Sequence, residues 1–280
     1  MRDVAQPLFS LILCTYNAGI SLERCFSSIK EQDCDDYEVI VQDNVSTDGT
    51  TDILRQWERK IPLHWRSEPD SGIYNAWNKA VEHANGRWFL FLGADDKLLT
   101  PHALSQFRER MTSLAPSVQY VGGALLLGEK DTPISTWLPP RHDNVMPSMR
   151  KVMTLRHQAL LHRRDLFDKE KFDETFKISA DYDFVLRTLR NDNFVVAGDI
   201  LAVYKEEGGI SRMLEYRDIL FRERYRVHKK NGLNPRKWDF DKLLLRWKMW
   251  KLLCPLIGRD LSTFWYERGL VPLLRRVTAG

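Results

Sequence analysis

The sequence lacks a long apolar run. No stretch of its 280 residues approaches the roughly 18 consecutive apolar positions that a membrane-spanning helix needs. The opening segment Met1–Pro7 also lacks the apolar core of a secretory leader, so we expect no signal peptide. A protein without these segments is expected to act in the cytoplasm.

Cysteine is scarce, and the few cysteines are scattered. Cys14, Cys25, Cys34 and Cys254 are the four in the chain, and no two of them have the CxxC spacing of many zinc and redox sites. A disulfide framework or a zinc site is therefore not expected. Such a composition suits a reducing cytoplasm.

A strong charge of one sign is absent as well. The formal net charge of +4 is too small over this length to indicate general nucleic-acid binding, and we expect no nucleic-acid partner. Hydrophobic residues make up 43% of the chain and charged residues 29%, which excludes disordered and fibrous proteins. The length allows one large domain with an appended segment.

Short apolar runs alternate with helical patterns along the first hundred residues. The predicted strands cover 9–14, 37–42, 63–66 and 88–92, and the predicted helices cover about 21–31, a segment ending at residue 57, and 72–84. This order predicts an α/β fold with a doubly wound, mainly parallel sheet. Further along, we expect strands over 118–127 and 194–204 and helices over 181–190, 211–230 and 236–253.

Polar side chains follow the end of each early strand. They are Thr15, Tyr16, Asn17, Asp43, Asp70, Asp95 and Asp96. Ligands of open α/β sheets bind outside the carboxyl ends of the strands. Taken singly, each residue could be an ordinary turn or helix-capping residue. As a set they predict a binding site along one edge of the sheet.

This edge is acidic, and an acidic edge repels phosphate unless a divalent cation lies between them. Adjacent Asp95 and Asp96 are oxygen ligands of the kind that Mg²⁺ or Mn²⁺ take together with substrate phosphates, although they could also cap a following helix. The sequence has no G-x-x-x-x-G-K-[ST] loop and no G-x-G-x-x-G after the first strand. P-loop and dinucleotide-binding proteins are therefore disfavoured.

Eight short segments occur in a characteristic order and spacing. They are Ser10–Asn17, Gln42–Thr50, Asp70–Lys79, Phe91–Asp96, Arg156–Gln158, Phe172–Glu174, Ala180–Phe184 and Gly208–Ser211. Together they resemble family 2 glycosyltransferases of the GT-A fold, close to a subgroup that builds bacterial exopolysaccharide, colanic-acid and O-antigen units. The resemblance covers about residues 8–212. Each segment alone is moderately specific, and their order makes the resemblance strong.

The resemblance implies an inverting transfer of a sugar from a nucleotide donor, most often a UDP-sugar, to an acceptor hydroxyl. It places Asp43 on the uracil, with Thr15, Tyr16 and Asn17 in the same nucleotide-sugar pocket. The acceptor would be a saccharide or a polyprenyl-diphosphate-linked saccharide used in cell-surface polysaccharide synthesis.

The same resemblance places Asp70, Asn78 and Lys79 near the ribose and diphosphate of the donor. The segment from Gly93 to Asp95 stands where the family has Asp-x-Asp. Asp95 therefore takes the metal-binding last position of that motif, with Asp96 beside it. The implied cofactor is Mn²⁺ or Mg²⁺.

Five positions depart from the family pattern. Gly93 replaces the first aspartate of Asp-x-Asp, which removes a contact usually made to the ribose or the metal. Cys14 stands where proline is common, and Asn44 and Val45 stand where Asp-Gly is common. Ala180 replaces the glutamate of the family's Glu-Asp pair. These departures bear on metal affinity and nucleotide identity rather than on the fold.

A general base is expected in the second half of the chain. Inversion requires a base opposite the leaving diphosphate, and the strand-end loops of the first half would lie with the nucleotide. Asp181 matches the aspartate of the Glu-Asp pair, and its predicted place at a helix start favours the ionised form. Asp183 is the fallback, although either carboxylate could simply suit the first turn of a helix. His157 is a further catalytic or acceptor-binding candidate, or else a half-buried histidine.

Two other functional classes stay open at this point. A sugar-1-phosphate nucleotidyltransferase shares the sheet but needs a glycine-rich basic loop after the first strand, and Thr15–Ile20 contains no lysine or arginine. A non-catalytic carbohydrate-binding or scaffold protein could keep the fold, which Gly93 favours. The carboxylates Asp95, Asp96 and Asp181 argue against that alternative.

The resemblance divides the chain into a GT-A domain over 1–212 and a helical extension over 213–280. Within the domain, 1–100 would be the donor half and 101–212 the acceptor half. Residues 236–280 carry ten Lys and Arg, four Asp and Glu, and four of the nine tryptophans. This composition is typical of helices at a membrane surface, so we expect peripheral contact with the inner face of the cytoplasmic membrane.

The helical wheel of this segment leaves a second interpretation open. Lys242 and Arg246 share a face with Met249 and Leu253, so polar and apolar side chains are poorly separated. A helix packed on the domain is therefore the alternative to a helix on a membrane.

Overall fold

The computed structural model describes residues 6–129, 132–206 and 216–235, together with positions 245 and 248. The first half alternates strands and helices as expected. Its elements are β1 (Phe9–Thr15), α1 (Gly19–Lys30), β2 (Tyr37–Asp43), α2 (Thr50–Trp57), β3 (Leu63–Ser67), α3 (Ile73–Val81) and β4 (Trp88–Gly93). Each lies within about three residues of its predicted bounds.

The second half contains elements that the sequence pattern did not predict. Its elements are β5 (Asp96–Leu98), α4 (Ala103–Met111), β6 (Tyr120–Glu129), β7 (Thr132–Trp137), α5 (His142–Met149), β8 (Leu160–Arg163), α6 (Ala180–Thr188), β9 (Phe194–Glu206) and α7 (Arg217–Lys230). The unpredicted ones are β5, α4, β7, α5 and β8. Of the predicted helix over 236–253, only positions 245 and 248 are described, and both are helical.

The strands form a single nine-stranded sheet. Its order is β3-β2-β1-β4-β8-β6-β9-β5, and β7 pairs with β6 off this path. The first four strands are parallel to one another, and β6 is parallel to β9. Strand β8 lies between β4 and β6 and is antiparallel to both. Strand β5 pairs antiparallel with β9, and β7 pairs antiparallel with β6. The predicted α/β, doubly wound sheet is confirmed, and every antiparallel pair involves at least one strand of the second half.

Two hydrophobic clusters lie on opposite faces of the sheet. The alternating side chains Phe9, Leu11 and Leu13 of β1 pack with α1, α2 and α4. Ile12 points to the other face, where the cluster is completed by α3, α5, α6 and α7. Because successive side chains of a strand alternate between faces, β1 is covered on both sides and reads as a continuous apolar run.

The strand registers align the predicted site residues. Thr15 at the end of β1 pairs with Asp43 at the end of β2, and Asp43 pairs with Ser67 at the end of β3. On the other side of β1, Cys14 pairs with Gly93 at the end of β4. The parallel pairing therefore brings the loops after all four strands to one edge of the sheet, which we call the carboxyl edge.

The described part of the predicted C-terminal extension, 216–235, packs against α6. The Tyr182 hydroxyl lies 2.8 Å from Nε2 of His228 in α7. The residues that carry the proposed membrane contact lie outside the described part, apart from positions 245 and 248. Among the described residues, none of the helices has the length and apolarity to cross a bilayer.

Candidate active site at the carboxyl edge

Asp43 is a buried carboxylate that joins three strand ends at the carboxyl edge. Its side chain is completely buried. It accepts hydrogen bonds from Thr15 Oγ1 at 2.8 Å, from Ser67 Oγ at 2.6 Å, and from both the backbone N–H and the hydroxyl of Ser46. These bonds connect the ends of β1, β2 and β3. A nucleotide base that reaches Asp43 therefore meets a carboxylate whose position is already fixed.

The loops after β1 and β2 hold each other. Asn17 adopts a left-handed conformation with φ of 49°. Its backbone N–H donates to Ser46 Oγ at 2.8 Å, and its side-chain oxygen accepts from Thr47 N at 2.9 Å. Asn tolerates this conformation better than most residues because its short side chain can bond locally. The neighbouring Tyr16 is 67% exposed, so its ring is free to meet a ligand at this edge.

Val45 in the same pair of loops has a strained backbone. It is a β-branched residue with φ of 50°, and its side chain is exposed. Such a residue in the left-handed region costs about 1–3 kcal/mol, and strain of this kind clusters at functional sites. The glycine that is common here in the resembling family would adopt this conformation without that cost.

We expect Val45→Gly to stabilise the protein. Relief of the strain should exceed the entropic cost of glycine by about 1 kcal/mol, which would raise the melting temperature by about 2–4 °C. Thermal unfolding followed by circular dichroism measures this change. Val45→Ala is the matched control, because it removes the β-branch but keeps a Cβ. A melting temperature that falls in Val45→Gly would contradict a strained loop.

Asp70 and Lys79 shape the loop between β3 and α3. The Asp70 backbone N–H donates to the side-chain oxygen of Asn44, and Asp70 Oδ1 accepts from Gly72 N at 2.9 Å. Burial raises the pKa of Asp70, while the Gly72 hydrogen bond and Lys79 oppose that shift. Lys79 Nζ donates to the Pro69 carbonyl at 2.8 Å. Both predicted donor-binding residues are therefore half-buried at the rim of the carboxyl edge.

Asn78 lies deeper than the other predicted donor residues. It is 6% exposed and exchanges two hydrogen bonds of 3.0 Å with the backbone of Phe172. Its amide also donates to Glu174 at 2.8 Å, and Asn75 donates to the same carboxylate at 2.9 Å. In this arrangement Asn78 ties α3 to the loop before α6. This connection between the two halves of the chain could not be deduced from the motif.

Gly93 leaves room for the carboxylates that follow it. A Cβ at this position would lie 2.5 Å from Asp95 Oδ1 and 3.1 Å from Asp96 Oδ2. The Gly93 backbone N–H donates to Asp96 Oδ2 at 2.7 Å. Glycine at the first position of the motif therefore permits a tight turn, in which the Asp95 and Asp96 carboxylates lie close to the backbone of residue 93.

Asp95 and Asp96 have different surroundings. Asp96 is buried and forms a 3.1 Å ion pair with Lys205 of β9, and burial raises its pKa despite that lysine. The Asp95 carboxylate is half-buried and has no hydrogen bond or ion pair within the described ranges. Of the adjacent pair, Asp95 is the carboxylate open to a further ligand. The role of Lys205, far away in sequence, gave no signal in the motif.

The donor set suits a cation that is completed by substrate. No group of three or more His, Cys, Asp or Glu side chains that could hold a metal lies within the described part of the chain. One open carboxylate fits Mg²⁺ or Mn²⁺ only when diphosphate oxygens and water supply the other ligands, which is their usual manner of binding at phosphate sites. A tightly held resident metal is not what this edge would bind.

Asp181 is held between α3 and α6. Its Oδ1 accepts from the Tyr182 backbone N–H at 2.8 Å and from the Tyr74 hydroxyl at 3.2 Å. Burial raises the pKa of Asp181 to about 6, although both hydrogen bonds and the charge of Arg224 favour the ionised form. The helix start was expected to favour the carboxylate, and burial outweighs it. At pH 7 the group is still about nine-tenths ionised.

Asp183 has a different environment although it lies in the same turn. It is completely buried and accepts from Arg187 Nε at 2.9 Å, Lys230 Nζ at 2.8 Å and Asn231 Nδ2 at 2.9 Å. The carboxylate thereby joins α6 to the end of α7. A group with these partners is suited to holding the helices together rather than to taking a proton.

His157 is enclosed by aromatic rings. It is 3% exposed, and its ring centroid lies 4.7 Å from that of Trp77 and 4.8 Å from that of Phe91. Neither ring nitrogen has a hydrogen-bond partner among the described residues. Burial lowers the pKa of His157 well below its usual value, and His162 adds to that shift. The ring is neutral and packed in the core, so we place no catalytic step on it.

A cleft of about 390 Å³ lies beside the Asp181 region. It is lined by the start of α3, residues 71–75, and by the loop 174–177 that leads to α6. Tyr74 lines this cleft and also contacts Asp181. A larger cleft of about 610 Å³ includes Pro7, Asp36 and Pro62 and lies at the opposite ends of the strands. Only the first is next to the predicted base.

Comparisons with known proteins identify the family and match the fold. The profile of Glycosyl transferase family 2 matches residues 10–168. The PGL/p-HBAD biosynthesis glycosyltransferase of Mycobacterium bovis is 30% identical over 226 residues, which cover 78% of this chain and 85% of that protein.

Two solved structures share the architecture. S. aureus TarS 1–349 in complex with UDP has a TM-score of 0.61 at 20% identity, covering 84% of this chain and 69% of that one. The mannosyltransferase PcManGT from Pyrobaculum calidifontis, in complex with GDP-Man and Mn²⁺, has a TM-score of 0.61 at 18% identity. The match covers 99% of this chain and 84% of that one.

The sheet has the GT-A fold of these solved structures. The chain belongs to glycosyltransferase family 2. This membership removes the nucleotidyltransferase alternative, for which the loop after β1 already lacked the required basic residues.

Proposed function

We propose that the enzyme transfers a sugar with inversion from a nucleotide-sugar to a hydroxyl of a saccharide acceptor. The proposed donor is a UDP-sugar. The observation that carries this proposal is Asp181, a half-buried carboxylate with a pKa of about 6 beside the cleft between the two halves. A base with such a pKa is ionised at neutral pH and still basic enough to take a proton.

In the proposed reaction Asp181 removes the proton of the acceptor hydroxyl. The hydroxyl oxygen forms a bond to the anomeric carbon of the donor, and the bond from that carbon to the diphosphate breaks. The electron pair of the broken bond leaves with the nucleoside diphosphate, and the proton remains on Asp181. Tyr74 keeps the carboxylate oriented throughout, since its hydroxyl contacts Oδ1 before any substrate is present.

The carboxyl edge supports the donor part of the proposal. Asp43, Thr15 and Asn17 would hold the base, with Tyr16 beside them, and Asp70 and Lys79 would lie near the ribose and diphosphate. Asn78 would act there by fixing α3. Asp95, with Asp96 behind it, would hold Mn²⁺ or Mg²⁺ together with the diphosphate. The bound metal would stabilise the charge of the departing diphosphate as a Lewis acid. The TarS complex with UDP and the PcManGT complex with GDP-Man and Mn²⁺ support such a donor site.

A panel of sugar nucleotides tests the donor. Release of nucleoside diphosphate is measured with UDP-, GDP- and dTDP-sugars, in the presence of Mn²⁺ and of saccharide acceptors. We expect release with at least one UDP-sugar, and an anomeric configuration in the product opposite to that of the donor by NMR. A retained anomeric configuration would contradict inversion. Activity with GDP-sugars alone would contradict the proposal that the donor is a UDP-sugar.

The acceptor is proposed to be a saccharide or a polyprenyl-diphosphate-linked saccharide of cell-surface polysaccharide or glycoconjugate synthesis. The named role of the mycobacterial relative in PGL/p-HBAD biosynthesis supports a glycoconjugate acceptor. We place the enzyme in the cytoplasm, on the inner face of the membrane. The basic, tryptophan-rich segment 236–280 is the proposed contact.

Liposome flotation tests the membrane contact. We expect the full chain to float with anionic vesicles and a 1–235 variant to stay in solution, because ten basic residues lie beyond that boundary. Neutral vesicles are the control, and they should recover less of the full chain. Equal recovery of both proteins on anionic vesicles, with both folded, would contradict the role of 236–280.

A further inference from the structure

The segment before α6 depends on a carboxylate from another helix. The backbone N–H groups of Lys177, Ile178 and Ser179 all donate to Glu223 of α7, at 2.6, 2.9 and 3.0 Å. Glu223 is 7% exposed, and Ile178 and Ser179 are also buried. Buried N–H groups need partners, so this carboxylate fixes the conformation of the segment.

Glu223 also replaces the usual cap of α6. Ser179 occupies the capping position, yet its side chain makes no capping hydrogen bond. Serine normally supplies such a bond at a helix start. A negative charge at this position is favoured by the helix dipole. The start of α6 is therefore held by a residue that lies 44 to 46 positions further along the chain.

Asp181 lies two residues after this segment, in the first turn of α6. We propose that Glu223 is a positioning residue that holds Asp181 in register with Tyr74 and with the cleft. The inference rests on the proposed function, in which Asp181 is the base. Glu223 itself is too enclosed and too fully bonded to serve as that base.

The polar and charged groups around Asp181 determine how its pKa would change if the first turn of α6 moved. They are the Tyr74 hydroxyl of α3 and the Arg224 guanidinium of α7, and α6 adds the backbone N–H of Tyr182. Moving the first turn of α6 away from Tyr74 admits water to the Asp181 carboxylate. Because burial is the main cause of its raised pKa, the pKa should fall towards the ordinary aspartate value of about 3.9.

Two variants of Glu223 separate positioning from a simple charge effect. Glu223→Gln keeps the shape but has one acceptor oxygen, so it cannot satisfy all three N–H groups. Glu223→Asp keeps the charge but is one methylene shorter. Positioning predicts that both variants lower the pKa of Asp181, whereas a charge effect would move it only in Glu223→Gln.

Asp173→Asn is the matched control. Asp173 accepts from Lys230 of α7 at 2.7 Å and so also joins α7 to the loop before α6, but it does not contact 177–179. It should lower the melting temperature without changing the pKa of Asp181. The control therefore shows what a purely structural loss at this interface does.

The experiment measures the Asp181 pKa by carboxyl carbon NMR on the full chain, with the resonance assigned by its loss in Asp181→Asn. It also measures kcat and the KM for the donor. For both Glu223 variants we expect the pKa to fall, kcat to drop by about 10- to 100-fold, and the donor KM to stay unchanged. An unchanged pKa and kcat in folded variants would overturn the proposal. Loss of folding in both variants would also overturn it, because Glu223 would then be purely structural.

Failure of the proposed function has a different signature. If the wild-type enzyme transfers no sugar to any acceptor, the proposed reaction is wrong. The NMR titration still decides whether Glu223 controls Asp181.

Discussion

Asp181→Asn should lower kcat by about 10²- to 10⁴-fold, because the amide cannot take the proton of the acceptor hydroxyl. The donor KM should change little, since the Asp181 carboxylate is bonded to Tyr74 and the Tyr182 backbone and to none of the proposed donor residues. In the wild-type enzyme kcat should fall as the pH is lowered through about 6, where Asp181 becomes protonated. Steady-state kinetics between pH 5 and 9 measure both effects.

The same variant should be more stable than the wild type at pH 8. The folded-state pKa of Asp181 is raised, so the ionised group favours the unfolded chain above that pKa, and its removal should add about 1–3 kcal/mol to the free energy of unfolding. The gain should shrink as the pH falls below 6. Urea unfolding at pH 8 and pH 5 measures this difference.

Asp183→Asn is the informative control for Asp181. Arg187 and Lys230 lose the charge of this buried carboxylate but keep Glu170 and Asp173 as partners, so the loss should cost about 1–3 kcal/mol of stability. The folded fraction should keep most of its turnover. If Asp183→Asn abolished turnover in folded protein while Asp181→Asn did not, the assignment of the base would be wrong by one step of the motif.

Asp95→Ala should abolish the stimulation by Mn²⁺ and lower kcat by about 10²- to 10³-fold. Asp95 would hold the cation, and the estimate follows from the loss of that cation's electrostatic contact to the developing negative charge. Excess EDTA should have a similar effect on the wild type. Calorimetric titration of Mn²⁺ in the presence of UDP should show binding in the wild type and none in Asp95→Ala.

Asp96→Asn distinguishes the two adjacent carboxylates. Because Asp96 is buried against Lys205, its replacement should lower stability more than Asp95→Ala does. We expect Asp96→Asn to retain weaker Mn²⁺ binding. Full activity of Asp95→Ala would contradict its role as a metal ligand, and full activity of the wild type in excess EDTA would exclude a metal from the reaction.

The first half of the fold could be predicted because its signals are local. Apolar runs such as Trp88–Leu92 end at turn residues, and the helices between them fill regular intervals. The second half escaped prediction where its elements carry no such signal. Strand β7 is exposed along its whole length and contains Pro133, β5 has three residues, and α5 contains Pro147. These segments are stabilised by pairing and packing with elements that are distant in sequence, and a local sequence pattern does not reveal such contacts.

The candidate site shows the same division. The motifs brought Asp43, Asp95 and Asp181 to notice, since each follows a strand or starts a helix. The resemblance ranked Asp181 above Asp183, but the sequence could not show why their surroundings differ, because Lys230 and Asn231 lie at the far end of another helix. Glu223 gave no signal at all, since its partners are backbone N–H groups that every sequence contains.

Helix α7 also decides where the chain can be divided. A boundary after residue 212, which the motif resemblance suggests, would separate Glu223, Lys230 and Asn231 from the groups they hold. Asp183 would keep Arg187 but lose its two other partners, and the three N–H groups before α6 would lose their acceptor. If a chimaera takes its second half from a related enzyme, it should therefore take helix α7 from that same enzyme. Any such transplant should continue through the end of α7 at Lys230.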